Sequence, residues 1–229
     1  MLDLTTEKGR YVSAALALAG EKPWAEVTLG EIAARAGSTL VGLKAHFASK
    51  AEILAAFVAM VDDEVLTRAP RRDEGQAARD ALFEVVMSRF DVLDAWKPAI
   101  RSIVGNGLPD PGQIVGVLVS NRWMLEAAGI GSGGLEGAAR TAGLASVYAA
   151  VFRVWLDDDD PGLARTMAAL DRRLRRGERA IQRAEDVIKG IERAAGALFG
   201  AAGKMRARMD RGPGADPVDR GPGAPPPAA

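Results

Sequence analysis

The chain of 229 residues has no cysteine, which excludes disulfide bonds and thiolate chemistry. It has one histidine, His46, so a zinc site built from Cys and His cannot form. No Ser/His/Asp arrangement is found beside it. We therefore expect no metal, no cofactor and no enzymatic activity.

Charge of one sign and long apolar runs are also missing. The formal net charge is zero, so no general electrostatic attraction draws the chain to nucleic acid. No apolar run approaches the ~20 residues that span a bilayer, and the sequence starts without a signal peptide. These absences, with the absence of cysteine, favour a cytoplasmic protein.

What the sequence does contain favours helices. Hydrophobic residues make up 48%, aromatic residues only 5%, and Ala, Leu and Val dominate. No stretch alternates apolar and polar residues long enough to predict a strand. The expected fold class is all-α.

The segment Trp24–Phe57 predicts two short helices joined by a tight turn. Thr28 begins the first with Glu31 three residues later, which is the spacing of a capping box. Gly37 ends it, at a position where a left-handed backbone costs least. Thr39 or Ser38 begins the second. The pattern is typical of a helix-turn-helix that reads DNA.

Apolar periodicity predicts further helices on both sides of this segment. Asn121 and Leu125 are expected to face inward together with Val117 and Leu118. The predicted helices cover Glu7–Ala19, Lys50 to about Thr67, Arg79–Trp96, Pro98–Val104, Ile114–Ala128, a segment from Leu144 to Trp155, and a last helix that begins at Pro161 with Asp160 as its cap.

Three domains are expected. Residues 1–54 form the helix-turn-helix domain, 55–200 a helical domain for ligand binding and dimerisation, and 201–229 a disordered tail rich in Pro and Gly. The polar segment Ala69–Gln76 is the strongest break before the tail.

The stretch "VTLGEIAARAGSTLVGLKAHFASKAEILAAF" resembles the DNA-binding end of the TetR family of transcriptional regulators. The resemblance implies an all-α homodimer in which the helix-turn-helix binds operator DNA and a C-terminal bundle binds a small apolar ligand. A ligand-responsive transcriptional regulator bound to double-stranded DNA is the first hypothesis. The DNA-binding residues it implies are Thr28, Thr39, Leu40, Gly42, Lys44, His46 and Lys50.

The residues give some of these contacts a physical basis. Helix starts at Thr28 and Thr39 present backbone N–H groups suited to a phosphate. The charge of Lys50 opposes the dipole at its helix start, which a bound phosphate explains better than local stability does. His46 either contacts a phosphate or packs between the third and fourth helices.

The segment departs from the family pattern in two respects. Lys44 stands where the family usually has a tyrosine, two positions before His46. Leu40, Val41 and Gly42 stand where Arg, Gln, Asn or Ser would read base edges. Residues 1–54 also balance six basic residues against six acidic ones, so this domain lacks a basic footprint.

The C-terminal half is similar to ubiquinone-biosynthesis lipid-binding proteins with a TetR-like fold, through "SRFDVLDAWKPAI", "NRWMLEAAGI" and "YAAVFRVWLDDDDPGLARTMAALDRRLRRGERA". This resemblance implies the alternative function, an isoprenoid-lipid-binding accessory protein that does not bind DNA. Its terminal amphipathic helix would contact membranes, here through residues 181–209, where apolar and basic residues alternate in groups.

Three features leave alternatives open. The aromatic and polar residues of the C-terminal half either line a ligand pocket or form plain core. Asp157 to Asp160 either bind a cation or cap a helix, and capping is favoured because EF-hand spacing is absent. The apolar residues from Leu163 to Leu198 form a heptad seam that suits a dimer as well as a membrane. The pocket residues are Phe90, Asn121, Trp123, Met124, Tyr148, Phe152 and Trp155.

Overall fold

The computed structural model describes residues 4–69, 72–105 and 111–179, and every regular element within them is helical. The all-α fold class is therefore confirmed. The described residues up to Glu178 form one compact unit. A 3-10 turn, Trp24–Glu26, separates the first two helices. The α-helices are α1 (Glu7–Glu21), α2 (Leu29–Arg35), α3 (Leu40–Lys44), α4 (Lys50–Arg68), α5 (Ala78–Asp94), α6 (Lys97–Val104), α7 (Pro111–Ala127), α8 (Gly134–Leu156) and α9 (164–179).

Side-chain caps begin the four N-terminal α-helices at the positions that the sequence predicts. The Thr6 hydroxyl accepts from Gly9 N at 3.0 Å, and Thr39 and Ser49 cap α3 and α4 in the same way. At α2 the capping box is complete, because Thr28 and Glu31 each accept a hydrogen bond from the other's backbone N–H. These caps satisfy N–H groups that have no partner inside a helix.

The N-terminal core forms where α1 packs against α2, α4 and α6. Tyr11, Ile32, Leu43 and Phe47 are almost fully buried there. The ring of Phe47 meets that of Tyr11 edge-on at 6.2 Å. Helix α4 runs without interruption across residues 54 and 55, where the sequence placed a domain boundary. The three-part division itself stays a prediction.

The C-terminal core is built by α5, α7 and α8, with α4 packed against α5 and α7. Asn121 and Leu125 face inward, as predicted. Val117 and Leu118 are 40% and 39% exposed, so their inward assignment is wrong. Helical spacing places positions 117 and 118 on the same side of α7 as Asn121 and Leu125, but this earlier part of the helix is open on several sides, since Val115 and Val119 are exposed there as well.

Two predicted helix starts are also wrong. Helix α8 begins at Gly134, well before Leu144. The sequence did not predict this start because the first turns consist mostly of small and polar residues, which form no apolar pattern. The last helix begins at residue 164 and not at Pro161. Leu163 has a left-handed φ of 50°, which interrupts the helix before that point. Asp160 does act as a cap, since its carboxylate accepts from Ala164 N at 3.1 Å.

The heptad seam of the last helix is seen only in part. Leu163, Leu170 and Leu174 are buried, whereas Met167 is 37% exposed. The rest of the seam, the proposed membrane segment 181–209 and the predicted disordered tail lie outside the described residues. Among the helices that are described, none combines the length and apolar character needed to cross a membrane.

Candidate nucleic-acid interface

The turn between α2 and α3 depends on a glycine and a hydrogen bond. Gly37 has φ of +69°, the left-handed conformation that a glycine adopts most easily. Immediately after it, the Ser38 Oγ lies 2.6 Å from the hydroxyl of Tyr11 on α1. This bond ties the start of α3 to the buried face of α1, so the angle between α2 and α3 is held by the core.

Gly42 on α3 lies close to Ser38 and to Tyr11 of α1. A Cβ added at residue 42 would lie 2.6 Å from Ser38 Oγ and 2.9 Å from the hydroxyl of Tyr11. Such distances are shorter than real contacts allow. A side chain at this position would therefore point into the domain, and a contact between the Gly42 backbone and DNA stays a prediction.

The opposite face of α3 is open to solvent. Leu40 is 57% exposed and Val41 is 80% exposed. Thr39, Lys44 and Ala45 are exposed as well, and Leu43 alone among the residues of α3 is buried. The structure thus brings three of the predicted DNA-binding residues to one surface: Thr39 at the cap of α3, and Leu40 and Lys44 on the helix. Val41, which was not among them, lies on the same surface.

Lys50 has a structural role that the sequence did not predict. Its Nζ donates to Trp24 O at 2.7 Å and to Val27 O at 2.8 Å, and it lies 4.5 Å from the centre of the Trp24 ring. Burial, with a smaller contribution from Lys22, lowers the pKa of Lys50. A lysine at this helix start therefore has a local explanation, contrary to the sequence argument. A contact between Lys50 and DNA stays a prediction.

His46 packs against α1 and not between the third and fourth helices. Its Nε2 lies 3.2 Å from Glu7 Oε2, and its ring centre lies 5.9 Å from that of Tyr11. About a quarter of the side chain remains exposed. The imidazole thus joins the end of α3 to the first turn of α1, and its predicted phosphate contact is not tested by this geometry.

Ion pairs neutralise much of the positive charge near α2. Lys22 Nζ lies 2.6 Å from Glu31 Oε1, and Arg35 makes a two-pronged contact with Glu21 at 2.8 and 2.7 Å. The hydrogen bond from Lys22, followed by those from Thr28, lowers the pKa of Glu31 to about 2. Thr28 is exposed, but its hydroxyl already belongs to the capping box.

Helix α6 joins the helix-turn-helix to the C-terminal bundle. Ser102 Oγ accepts from Trp24 N at 2.9 Å and donates to Lys22 O at 3.1 Å. On the same helix, Lys97 donates to Asp158 O at 2.9 Å and Arg101 donates to Leu156 O at 2.7 Å. Sequence reasoning missed this link because the partners are backbone atoms far along the chain.

The predicted ligand pocket is a closed aromatic core in this structure. The ring of Phe90 stacks on Tyr148 at 5.3 Å and on Trp155 at 5.5 Å, and Phe152 lies 5.4 Å from Trp155. Met124 is buried with them. The plain-core alternative therefore describes these side chains, while ligand binding stays a prediction.

Two members of the predicted pocket need separate comment. Trp123 is 50% exposed and is therefore not part of the closed aromatic core, and its place in a ligand pocket stays a prediction. Asn121 is fully buried, and its Oδ1 has no hydrogen-bond partner among the described residues. The same holds for the Nε1 of Trp155. One acceptor and one donor therefore remain unused inside this core.

A buried ionic network lies beside the aromatic core. Arg89 on α5 is 5% exposed and pairs with Asp62 on α4. Arg89 Nε also donates to the Tyr148 hydroxyl at 3.2 Å, and Ser120 donates to Asp62 Oδ2 at 2.8 Å. Three helices are thus linked to α4, the helix that follows α3 and its exposed face.

The acidic run Asp157–Asp160 caps and links helices, as the favoured alternative predicted. Asp158 is fully buried and accepts from Thr166 N at 2.9 Å and from Thr166 Oγ1 at 2.7 Å. Asp159 pairs with Arg101 at 2.7 Å. Within the described ranges, no cluster of three His, Asp or Glu side chains is placed to hold a metal ion.

A surface groove of about 340 Å³ lies between α5 and α9, away from the predicted pocket. Phe83, Met167 and Leu174 contribute its apolar part, and Arg79, Asp80, Glu84, Asp171 and Arg175 its charged part.

Comparisons with known proteins agree with this arrangement. Residues 12–57 match the family model of bacterial regulatory proteins, tetR family. A TetR transcriptional regulator from Nitrosomonas europaea ATCC 19718 is similar in structure, with a TM-score of 0.60 and 24% identity over 74% of this chain and 96% of that one. One from Rhodococcus sp. RHA1 has a TM-score of 0.56 and 22% identity over 73% and 93%. No curated protein sequence matches the chain. The expected TetR-like fold is confirmed.

Proposed function

We propose that the chain is a TetR-type transcriptional regulator that binds its operator as a homodimer and releases it when a small apolar ligand enters the C-terminal bundle. The match of residues 12–57 to the family model of bacterial regulatory proteins, tetR family, supports this proposal. The observation that carries the proposal is the solvent-facing side of α3. Leu40, Val41 and Lys44 are exposed on it, while Gly42 and the Tyr11–Ser38 bond hold the helix on the core.

In this proposal α3 enters the major groove and the residues around it contact the backbone. Lys44 is the exposed cation on α3 and supplies a phosphate contact. Thr28, Thr39 and His46 are proposed to add contacts at the edges of the groove. Lys50 is proposed to contribute mainly by holding the Trp24–Val27 turn in place, since two of its protons already bind backbone carbonyls.

A gel-retardation assay with DNA from upstream of its own gene tests operator binding. We expect retardation at low salt and a steep loss of affinity as salt rises. Lys44→Ala is expected to weaken binding and to reduce the slope of log K against log salt by about 0.9, the value for one phosphate contact. The matched control, Arg176→Ala on α9, removes an exposed cation outside the interface and should leave both quantities unchanged.

One outcome contradicts DNA binding itself, and a second contradicts only the role of Lys44. A complete lack of retardation at low salt, together with flotation on anionic liposomes, would favour the lipid-binding alternative. An unchanged slope for Lys44→Ala would remove the phosphate contact from Lys44 while leaving DNA binding by the rest of the surface intact.

Ligand response is proposed to travel through α6. Its Lys97 and Arg101 hold the C-terminal end of α8, and its Ser102 holds the backbone of the Lys22–Trp24 turn. A ligand that binds one position of α8 better than another shifts the populations of both positions. The same shift then changes the spacing of the two reading helices in a dimer.

The ligand itself is proposed to enter the aromatic core beside Phe90, Tyr148, Phe152 and Trp155. Support comes from the unused acceptor of Asn121 and the unused donor of Trp155, both buried there. Buried polar atoms without partners are uncommon in native cores. An apolar molecule that carries one donor and one acceptor would satisfy both atoms while it spreads the stacked rings.

The dimer is proposed to form through α8. An exposed row of mostly small residues runs along this helix with steps that alternate between four and three, the spacing of a helix-pairing seam. Small side chains let two helices approach closely. Helix α7 packs beside α8 and exposes Val115, Val119 and Trp123. The row consists of Leu135, Ala139, Ala142, Ser146, Ala149 and Arg153.

Charge on α8 also suits a second copy in the antiparallel direction. Glu136 is exposed near the start of the helix and Arg153 near its end. When two copies cross antiparallel about the middle of α8, Glu136, which already pairs with Arg140 of its own helix, comes near Arg153 of the partner subunit at both ends. A two-fold interface requires this kind of self-complementary surface.

Ala142→Glu is expected to convert the dimer to a monomer, because it places a charged, bulky side chain at the centre of the row. Light scattering after size-exclusion chromatography measures the molar mass. Ala55→Glu, at an exposed alanine of α4, is the control and should remain dimeric. Exchange of the two charges, Glu136→Arg with Arg153→Glu, should preserve the dimer. A dimeric Ala142→Glu variant would place the interface elsewhere.

A further inference from the structure

The base-reading surface of α3 is apolar, which sets it apart from readers that rely on hydrogen bonds. Leu40 and Val41 expose 57% and 80% of their area at consecutive positions. The remaining polar side chain at the start of α3 is Thr39, whose hydroxyl oxygen accepts from Gly42 N at 3.2 Å and keeps its own proton to donate. Side-chain hydrogen bonding to a base edge at this end of the helix therefore depends on that one hydroxyl.

The two side chains cannot turn inward to relieve this exposure. Rotation of α3 about its axis is fixed on one side by Leu43, which is 1% exposed. It is fixed on the other side by Gly42, whose position leaves no space for a Cβ beside Tyr11 and Ser38. Leu40 and Val41 are consequently held outward, on the surface that operator binding would cover.

We propose that Leu40 and Val41 read the C5-methyl groups of thymines in the operator, an inference that rests on the proposed function. The thymine methyl is the one apolar group that a base pair presents in the major groove. Contact between it and an exposed aliphatic side chain removes both from water. The bases under the start of α3 are accordingly thymines, and sequence discrimination comes from loss of this contact at other base pairs.

Lys44 completes the surface one turn further along α3. Its charge attracts the phosphate backbone and holds the helix in the groove, but it does not distinguish one base from another. In residues 1–54 acidic and basic residues are equal in number, so this domain has no net charge that would attract DNA in general. That balance suits a surface in which one cation orients the helix and two aliphatic side chains distinguish the bases. The affinity for DNA in general should be low, and the operator should be distinguished mainly by its methyl groups.

Replacement of thymine by deoxyuridine tests this directly, because it removes the methyl group and keeps every hydrogen-bonding atom. The full-length protein is first used to select duplexes from a random-sequence pool. Each thymine of the selected site is then replaced in turn by deoxyuridine, and Kd is measured. Loss of each contacted methyl should weaken binding about four-fold. Deoxyuridine in the flanking DNA is the control and should have no effect.

Variants of the protein assign the effect to side chains. In Leu40→Ala with Val41→Ala, the same deoxyuridine replacements should change Kd by less than about 1.5-fold, since the reading groups are gone. Both residues are exposed, so thermal unfolding of the variant should match that of the wild-type protein. Leu118→Ala, at a half-exposed leucine of α7, is the matched variant that should keep full sensitivity to the methyl groups.

The possible results separate the inference from the function on which it rests. If no sequence is enriched from the pool, operator binding fails and the inference fails with it. If a sequence is enriched but no deoxyuridine weakens binding, the function stands and the inference is overturned. The inference is also overturned if the double variant keeps its sensitivity to deoxyuridine. If that variant in addition loses self-association, the exposed face of α3 binds protein.

Discussion

Replacement of Arg89 by leucine is expected to lower the free energy of unfolding by about 3–5 kcal/mol. Arg89 is 5% exposed and pairs with Asp62, which is itself mostly buried. Its removal leaves the carboxylate of Asp62 without a countercharge, and the Tyr148 hydroxyl loses its donor. Urea denaturation followed by circular dichroism measures the change as a lower midpoint with an unchanged slope.

The same pair offers a cycle that separates the ion pair from the loss of packing. Asp62→Leu combined with Arg89→Leu should be less destabilised than the sum of the two single variants, because no buried charge is left alone. Arg35→Leu is the matched control. It breaks the exposed pair with Glu21, which water screens, and should have a much smaller effect than Arg89→Leu. Equal effects of Arg35→Leu and Arg89→Leu would contradict the assignment.

Replacement of Asp158 by alanine is expected to destabilise the protein by about 2–4 kcal/mol, the range for losing two hydrogen bonds to a buried charge. Its carboxylate accepts from the backbone N–H and the hydroxyl of Thr166, near the start of α9. Thermal unfolding of the two proteins measures the difference. Asp159→Ala, at an aspartate whose side chain is 81% exposed, is the control and should have a small effect.

The stabilisation by Asp158 is also expected to depend on pH in a defined direction. Burial raises the pKa of its carboxyl, but the hydrogen bonds from Thr166 and Asp160 outweigh burial, so the pKa lies below its ordinary value of 3.8. A lowered pKa stabilises the fold above pH 3.8, and the contribution is lost as pH falls through the folded-state pKa. The difference in Tm between the wild type and Asp158→Asn should therefore shrink below pH 3.8. A difference that grows on acidification would contradict this account.

Local signals made the N-terminal helices predictable. Thr28 with Glu31, Gly37 and Ser49 act within three or four residues of themselves, so the caps and the turn could be read from the sequence. The helix starts at Gly134 and at residue 164 could not be read in this way. The first lacks an apolar pattern, and the second depends on the left-handed backbone of Leu163.

The position of the candidate site in the chain was predictable, but the function of each side chain within it was not. The sequence identified the positions on α3, yet only the packing on Tyr11 shows that Gly42 points inward while Leu40 and Val41 point outward. Lys50 was assigned to a phosphate because its two carbonyl partners lie more than twenty positions earlier in the chain. Ser102 gave no signal at all, since a serine in a short helix does not reveal distant backbone partners.

The hydrogen bonds of Ser102 limit how the N-terminal helices α1 to α4 can be transferred to another protein. Trp24 N and Lys22 O would lose their partner in a fragment that ends with α4, and the side of α1 that packs on α6 would face water. A chimera that joins residues up to Arg68 to a foreign sensor domain therefore needs a substitute for α6, with a hydroxyl at the position of Ser102. The smallest unit that can be transferred therefore extends through α6, a helix that also contacts the C-terminal bundle.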